Sequence, residues 1–251
     1  LRKHTGNSRY RSRHELSNVT LASRLKVALT RPFLMVTEPI IILWTLYITV
    51  VYIVLFTFLD GYPFIFQKTY GVSQGLTNLI FIAMFIGISL IVFAVPFIYR
   101  LTARAVKAGG SNGFNPEVRL WYAMITAPAV PISLFWMGWT DNPSISIWSP
   151  IISSVLFGYG TVGIFISTTM YIIDSYEMYS ASALTFVVLI RYIVAGGMTV
   201  AGLPIYERLG VPYTCTILGC VSAVMVPLPY AMYRWGHVVR LRSKYATSKE
   251  F

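Results

Sequence analysis

One arginine sits in the run T-F-V-V-L-I-R-Y-I-V-A-G-G-M-T-V-A-G, residues 185–202, which is otherwise apolar or uncharged. Guanidinium is always charged, and a helix-centre arginine in a bilayer costs about 2.5–3.5 kcal/mol on insertion scales. Arg191 must therefore face a wet cavity, a bundle interior or a packed partner rather than lipid. The other reading is structural, with the guanidinium holding backbone carbonyls or a neighbouring carboxylate. Ala195, Gly196 and Gly197 follow, and small residues here admit a second helix or a bend. Thr45, Thr49 and Tyr52 repeat at i, i+4, i+7, which makes one polar stripe on a helix. Such a stripe lines a pore or joins two helices, and an aromatic in it can meet an organic cation. Glu38 and Asp60 bracket that same segment. A carboxylate in a poorly solvated cavity can titrate. Glu38 is equally explained by a helix N-terminus, and Asp60 precedes Gly61-Tyr62-Pro63, where a helix break is expected. Asp174 and Glu177 fall in a short polar hairpin, where they can pair with basic loops or stay solvated.

Enzymatic and metal chemistry find little support. No Ser/His/Asp set and no G-x-S-x-G occurs, and His4, His14 and His237 show no metal-ligand spacing. No cofactor is expected. Gly158-Tyr159-Gly160-Thr161-Val162-Gly163 reads G-x-G-x-x-G, but it lacks the preceding strand a dinucleotide site requires, and helix packing explains it better. Cys215 and Cys220 are five apart and point to different helix faces, so a disulfide or metal pair is not expected.

The elements that position these residues follow from composition. Of 251 residues, 56% are hydrophobic and 12% charged, against about 25% charged in soluble domains. Six apolar runs, at about 39–65, 76–99, 119–140, 147–173, 180–205 and 211–234, approach or exceed the roughly 20 residues a crossing needs. They are too long for barrel strands and do not alternate, so helices are predicted. The fold expected is an all-α integral membrane protein with six transmembrane helices. Net charge is +11, but the basic residues sit between apolar runs rather than over a solvated face, so no nucleic-acid partner is expected. Seventeen of the 20 basic residues lie before the first run, between the second and third, or after the sixth. Positive residues remain cytoplasmic, which places both termini there. The sequon at Asn18 would then go unused, and a glycan on it would invert the orientation. Residues 1–20 read as a basic cytoplasmic segment, 21–34 as an amphipathic interfacial helix, 35–234 as the membrane domain and 235–251 as a basic tail.

Four strings carry a family resemblance. P-E-V-R-L-W-Y-A-M-I-T-A-P-A-V-P-I-S-L-F-W-M-G-W-T (116–140) resembles the ninth helix of fungal major facilitator superfamily transporters. R-P-F-L-M-V-T-E-P-I (31–40) resembles the approach to their seventh helix. Y-I-I-D-S-Y-E-M-Y-S-A-S-A-L-T-F-V-V-L-I-R (171–191) resembles their tenth-to-eleventh hairpin, and Y-E-R-L-G-V-P-Y-T-C-T-I-L-G-C (206–220) their last outer turn and twelfth helix. The nearest branch is the twelve-span drug:proton antiporters, which include polyamine and multidrug exporters.

The match covers about residues 20–245 and only the C-terminal six-helix half. The resemblance implies an N-terminal six-helix half as partner, in the same parent chain or a second one. It also implies a plasma-membrane location and alternating access, with a small organic substrate moved against a proton. Arg191, Tyr52, Thr49 and Thr45 would line the substrate cavity, Glu38 or Asp60 would carry the proton, and Asp174 with Glu177 would form a cytoplasmic gate. Two alternatives stand beside it: a half-transporter that acts as a structural or regulatory membrane partner, and a membrane-embedded enzyme, which the missing catalytic cluster disfavours.

Overall fold

The computed structural model describes residues 29–108 and 116–246. Residues 1–28, which hold the basic segment, the sequon and most of the expected interfacial helix, lie outside them; residues 29–34 are helical. A 3-10 turn, Met35–Thr37, leads into α1, Pro39–Pro63. Proline suits this first helical position because its missing N–H would have no intrahelical acceptor there. The expected break after Asp60 does not occur. The helix runs through Pro63 and widens into a π-helical stretch, Phe64–Thr69, a loosened winding in which the hydrogen-bond register shifts by one residue.

Helix α2 spans Gln74–Ala108. A 3-10 turn, Pro116–Arg119, precedes α3, Leu120–Thr126, and α4, Ala129–Thr140. The seam between α3 and α4 falls at Ala127-Pro128, where the proline cannot donate to the preceding turn. Helix α5 is Trp148–Tyr176, followed by a 3-10 turn, Glu177–Tyr179. Helix α6 runs Ser180–Met225 and is two helices meeting at Gly210, whose φ of 76° and ψ of 169° are reserved for a residue without a side chain. Helix α7, Pro227–Leu241, extends past the expected end of the last span.

Among the described residues all regular structure is helical. Four stretches are long and apolar enough to cross a membrane: Pro39–Thr69, Gln74–Phe97, Pro116–Thr140 and Trp148–Leu241. The last is 94 residues long and contains the interruptions at Glu177–Tyr179 and Gly210. The chain is an all-α integral membrane protein.

Helix α1 packs along α6, α2 against α5, and α4 against both α5 and α6. The core is aromatic: Trp44, Tyr47, Phe58, Tyr62, Phe157, Tyr171 and Tyr206 are fully buried. Phe58 of α1 stacks on Phe157 of α5 at 3.9 Å, a pairing worth about 0.5–1.5 kcal/mol beyond area burial. The glycines of the G-x-G-x-x-G string are packing sites. A methyl group at Gly158 would meet a backbone oxygen of Met84, one at Gly160 would meet Val130, and one at Gly163 would meet Thr126. Conversely, α2 leaves Phe85, Phe93 and Phe97 at least 65% exposed, an apolar face that water would not tolerate.

Candidate functional site

The first limb of α6 brings Arg191 against α1 and α5. Its guanidinium carbon lies 4.6 Å from the ring centre of Tyr52, 5.0 Å from Phe165 and 5.2 Å from Tyr192. Arg191 is only 7% exposed, and its Nε has no hydrogen-bond partner. Among the described residues it has no carboxylate in ion-pair range, so aromatic faces carry the charge. Cation–π contacts reach about 2 kcal/mol or more when desolvated. Tyr52 also meets Tyr192 edge-on at 6.0 Å and Phe165 at 6.4 Å. The rings thus form a box, and a phenol and a guanidinium share one small volume.

Thr45 and Thr49 lie further back on α1, buried, with hydroxyls that find no partner. Of the polar stripe, only Tyr52 joins Arg191. Side chains at Gly196 or Gly197 would meet nothing within 4 Å, so among the described residues no helix makes the close approach these glycines permit.

Four carboxylates gather at the end of α1 near the C-terminal tail. Glu38 is 2% exposed and does not cap its own helix. It accepts hydrogen bonds from the Tyr176 hydroxyl at 3.2 Å, the Lys244 backbone N–H at 3.2 Å and the Ser243 hydroxyl. Asp174 pairs with Arg119, Nε to Oδ2 at 2.8 Å. Glu117 pairs with Arg240 at 3.0 Å, both nearly buried. Glu177 is exposed at the α5–α6 turn in a left-handed conformation, φ 31°, which a non-glycine residue adopts at a cost of about 1–3 kcal/mol. Sequence reasoning left Asp174 open to pairing with a basic loop or to solvent, and it missed Glu117–Arg240. The available signal was scarcity: with nine carboxylates among 20 cations, an acid at the mouth of an apolar run is expected to find a base.

Asp60 sits at the opposite end of α1, about 33 Å from Glu38 by helical rise, so the two cannot share a proton site. Its Oδ2 is buried without a partner and lies against Gly202. Nearby, Asp141 just beyond α4 accepts a hydrogen bond from Thr69 at 3.3 Å, and Tyr70 donates to the Thr140 carbonyl at 3.1 Å. Burial raises the Asp141 carboxyl above its usual range, and the Thr69 hydrogen bond offsets part of this. Among the described residues no group of three or more His, Cys, Asp or Glu is placed to hold a metal.

No family profile matches the chain, and no solved structure matches it. Curated relatives do. The MFS-type transporter kojT of Aspergillus flavus is 49% identical over 248 residues, 97% of this chain and 44% of its own length. An uncharacterized transporter of Schizosaccharomyces pombe, mfs2, is 39% identical over 98% of this chain and 45% of its own length. The efflux pump FUBT of Fusarium oxysporum is 34% identical over 90% of this chain and 38% of its own length. The chain thus spans less than half the length of these relatives, which are named as transporters and a pump, not as enzymes. A helical membrane domain, a charge held among aromatic rings and relatives of this kind along nearly all of its length lead to one assignment: the chain belongs to the major facilitator superfamily.

Proposed function

We propose that this chain is the C-terminal six-span half of an exporter that moves an organic cation, polyamine or drug outward against protons by alternating access. Dividing the 94-residue stretch at Glu177 and Gly210 yields three crossings and a total of six. Both termini are cytoplasmic, in the plasma membrane, with the exposed apolar residues Leu29, Phe33 and Leu34 lying on the inner leaflet. An N-terminal six-span half completes the transporter, with the two halves rocking about a site near the midplane. Tyr52 and Arg191 line that site, and Thr45 and Thr49 are its next polar positions. The pairs Arg119–Asp174 and Glu117–Arg240, with Glu177 at the turn beside them, form an inner gate. Asp60 is the carboxylate better placed for a proton role, because Glu38 is committed to the tail.

The observation that carries the reading is Arg191: a buried charge held by rings rather than neutralised by an acid. A merely structural arginine would be paired, because an unpaired buried charge is costly. Export as the direction is supported by the relatives named efflux pumps. The test is efflux from membrane vesicles carrying the complete gene product, with and without a proton gradient. At matched abundance, Arg191→Ala should lower gradient-driven efflux at least 10-fold, equivalent to about 1.4 kcal/mol, and Arg191→Lys should restore part of it. Normal pumping by the alanine variant would make Arg191 structural.

A further inference from the structure

The side-by-side helices α1 and α6 carry Tyr52 and Arg191, and the same two helices carry a second, unassigned feature further along. About 12 Å from Tyr52 along α1, and a similar distance from Arg191 along α6, lies an open pocket of about 500 Å³. Its wall includes Asp60, Phe64 and Lys68 on one side and Thr199 and Leu203 on the other. The volume falls within the roughly 300–1,000 Å³ of small-molecule sites. Asp60 presents a carboxylate whose Oδ2 has no hydrogen bond and, among the described residues, no ion pair. Gly202 opens the space for it, since a side chain there would occupy the place of Oδ2. Phe64 offers an aromatic shelf that already holds a cation, with the Lys68 ammonium 4.3 Å from its ring centre. Lys68 is exposed, takes the ring and leaves the nearby acid unpaired.

We infer that this pocket is a second binding station for an organic cation, at the end of the α1–α6 track remote from Glu38. A carboxylate wanting a counter-ion and a ring that draws ammonium groups together recognise a positive centre carried on an apolar body. Leu203 and Phe64 receive the apolar part, Asp60 meets the charge, and Lys68 acts as an internal competitor that the ligand displaces. The station rests on the transporter reading above and adds a place and a chemistry to it. A substrate whose apolar body packs at the ring-lined site would find, about two helical turns away, a group of charge opposite to its own.

The test uses the purified complete gene product in detergent, with radiolabelled tetraphenylphosphonium as the cationic probe and triphenylphosphine oxide as the neutral one. Asp60→Asn should weaken tetraphenylphosphonium binding at least 10-fold, whereas Lys68→Gln should tighten it several-fold. The neutral probe should respond to neither. Tetraphenylphosphonium should also raise the acylation of Lys68 by an amine-reactive reagent, read by mass spectrometry, because the bound cation frees the ammonium from Phe64. Lys68→Gln alters an exposed side chain and tests the idea even if Asp60→Asn fails to fold. Unchanged cation binding in both variants overturns the station while leaving cation export standing. Unchanged or tighter tetraphenylphosphonium binding in a folded Asp60→Asn variant overturns Asp60 as the counter-ion and with it the cationic ligand class. A wild-type protein that pumps an organic cation in vesicles yet shows no change at Lys68 with the probe overturns the location alone.

Discussion

Tyr52 and Arg191 make the sharpest residue-scale case. The ring face holds the guanidinium while the phenol hydroxyl adds a polar point, and the two contributions can be separated. Tyr52→Phe keeps the face and should leave folding and cation–π contact intact. Tyr52→Leu removes the face and should cost about 0.5–2 kcal/mol, read as a lower thermal midpoint and reduced efflux. Equal loss in both variants would assign the role to the hydroxyl. Asp141 gives a pH prediction outside the membrane. Its acid is raised by burial, so the folded state favours the protonated form. The contribution to stability is then full below the ordinary carboxylate range and is lost as pH rises through the raised value. The wild-type midpoint should fall over that window by at most about 2–4 °C, and Asp141→Asn should flatten the profile. Sequence made the charge at Arg191 legible because an arginine in an apolar run has few tolerable environments. It did not reveal the rings around it, since Phe165 lies on a helix whose rotation no periodicity fixed.

At the scale of the element, glycines separate packing from open space. Gly158 lies against the α2 backbone, so Gly158→Ala should cost about 1–3 kcal/mol by overpacking. Gly196 faces nothing among the described residues, so Gly196→Ala should be neutral or stabilise by about 0.5–1 kcal/mol. If Gly196→Ala instead abolishes transport in the complete gene product, another half packs there. The buried pair Glu117–Arg240 invites a double-mutant cycle. Arg240→Met alone should cost up to about 3–5 kcal/mol, while Arg240→Met with Glu117→Gln should recover most of that, because removing both partners spares the desolvated charge. Helical class was legible from run length alone. The passage of α1 through Pro63 was not, because Gly-Tyr-Pro signals a stop and only the packing of Tyr62 and Phe66 in the core favours continuing as a widened helix.

For the whole molecule, orientation is the property that organises the rest. Ser144, in the exposed α4–α5 loop, and Arg242, at the end of α7, lie at opposite membrane faces in the proposed arrangement. In a background lacking Cys215 and Cys220, Ser144→Cys should react with an impermeant maleimide on intact cells. Arg242→Cys should react only after permeabilisation. The reverse pattern would turn the protein over and make the Asp60 pocket cytoplasmic. Basic residues predicted the orientation; the pocket itself had no sequence signature, because it arises between segments more than 130 positions apart.

The hold on Glu38 has a consequence for biosynthesis. Its hydroxyl partner Ser243 and amide partner Lys244 lie 205 and 206 residues downstream, and Tyr176 lies 138 downstream. At a translation rate of about 5–20 residues per second, α1 waits roughly 10–40 s with its carboxylate short of partners before Ser243 and Lys244 are made. A ribosome that stops just after Leu241 leaves that acid with Tyr176 alone among the three. The full hold on Glu38 is therefore a late event in the assembly of these helices, set only once the residues beyond Leu241 have been made.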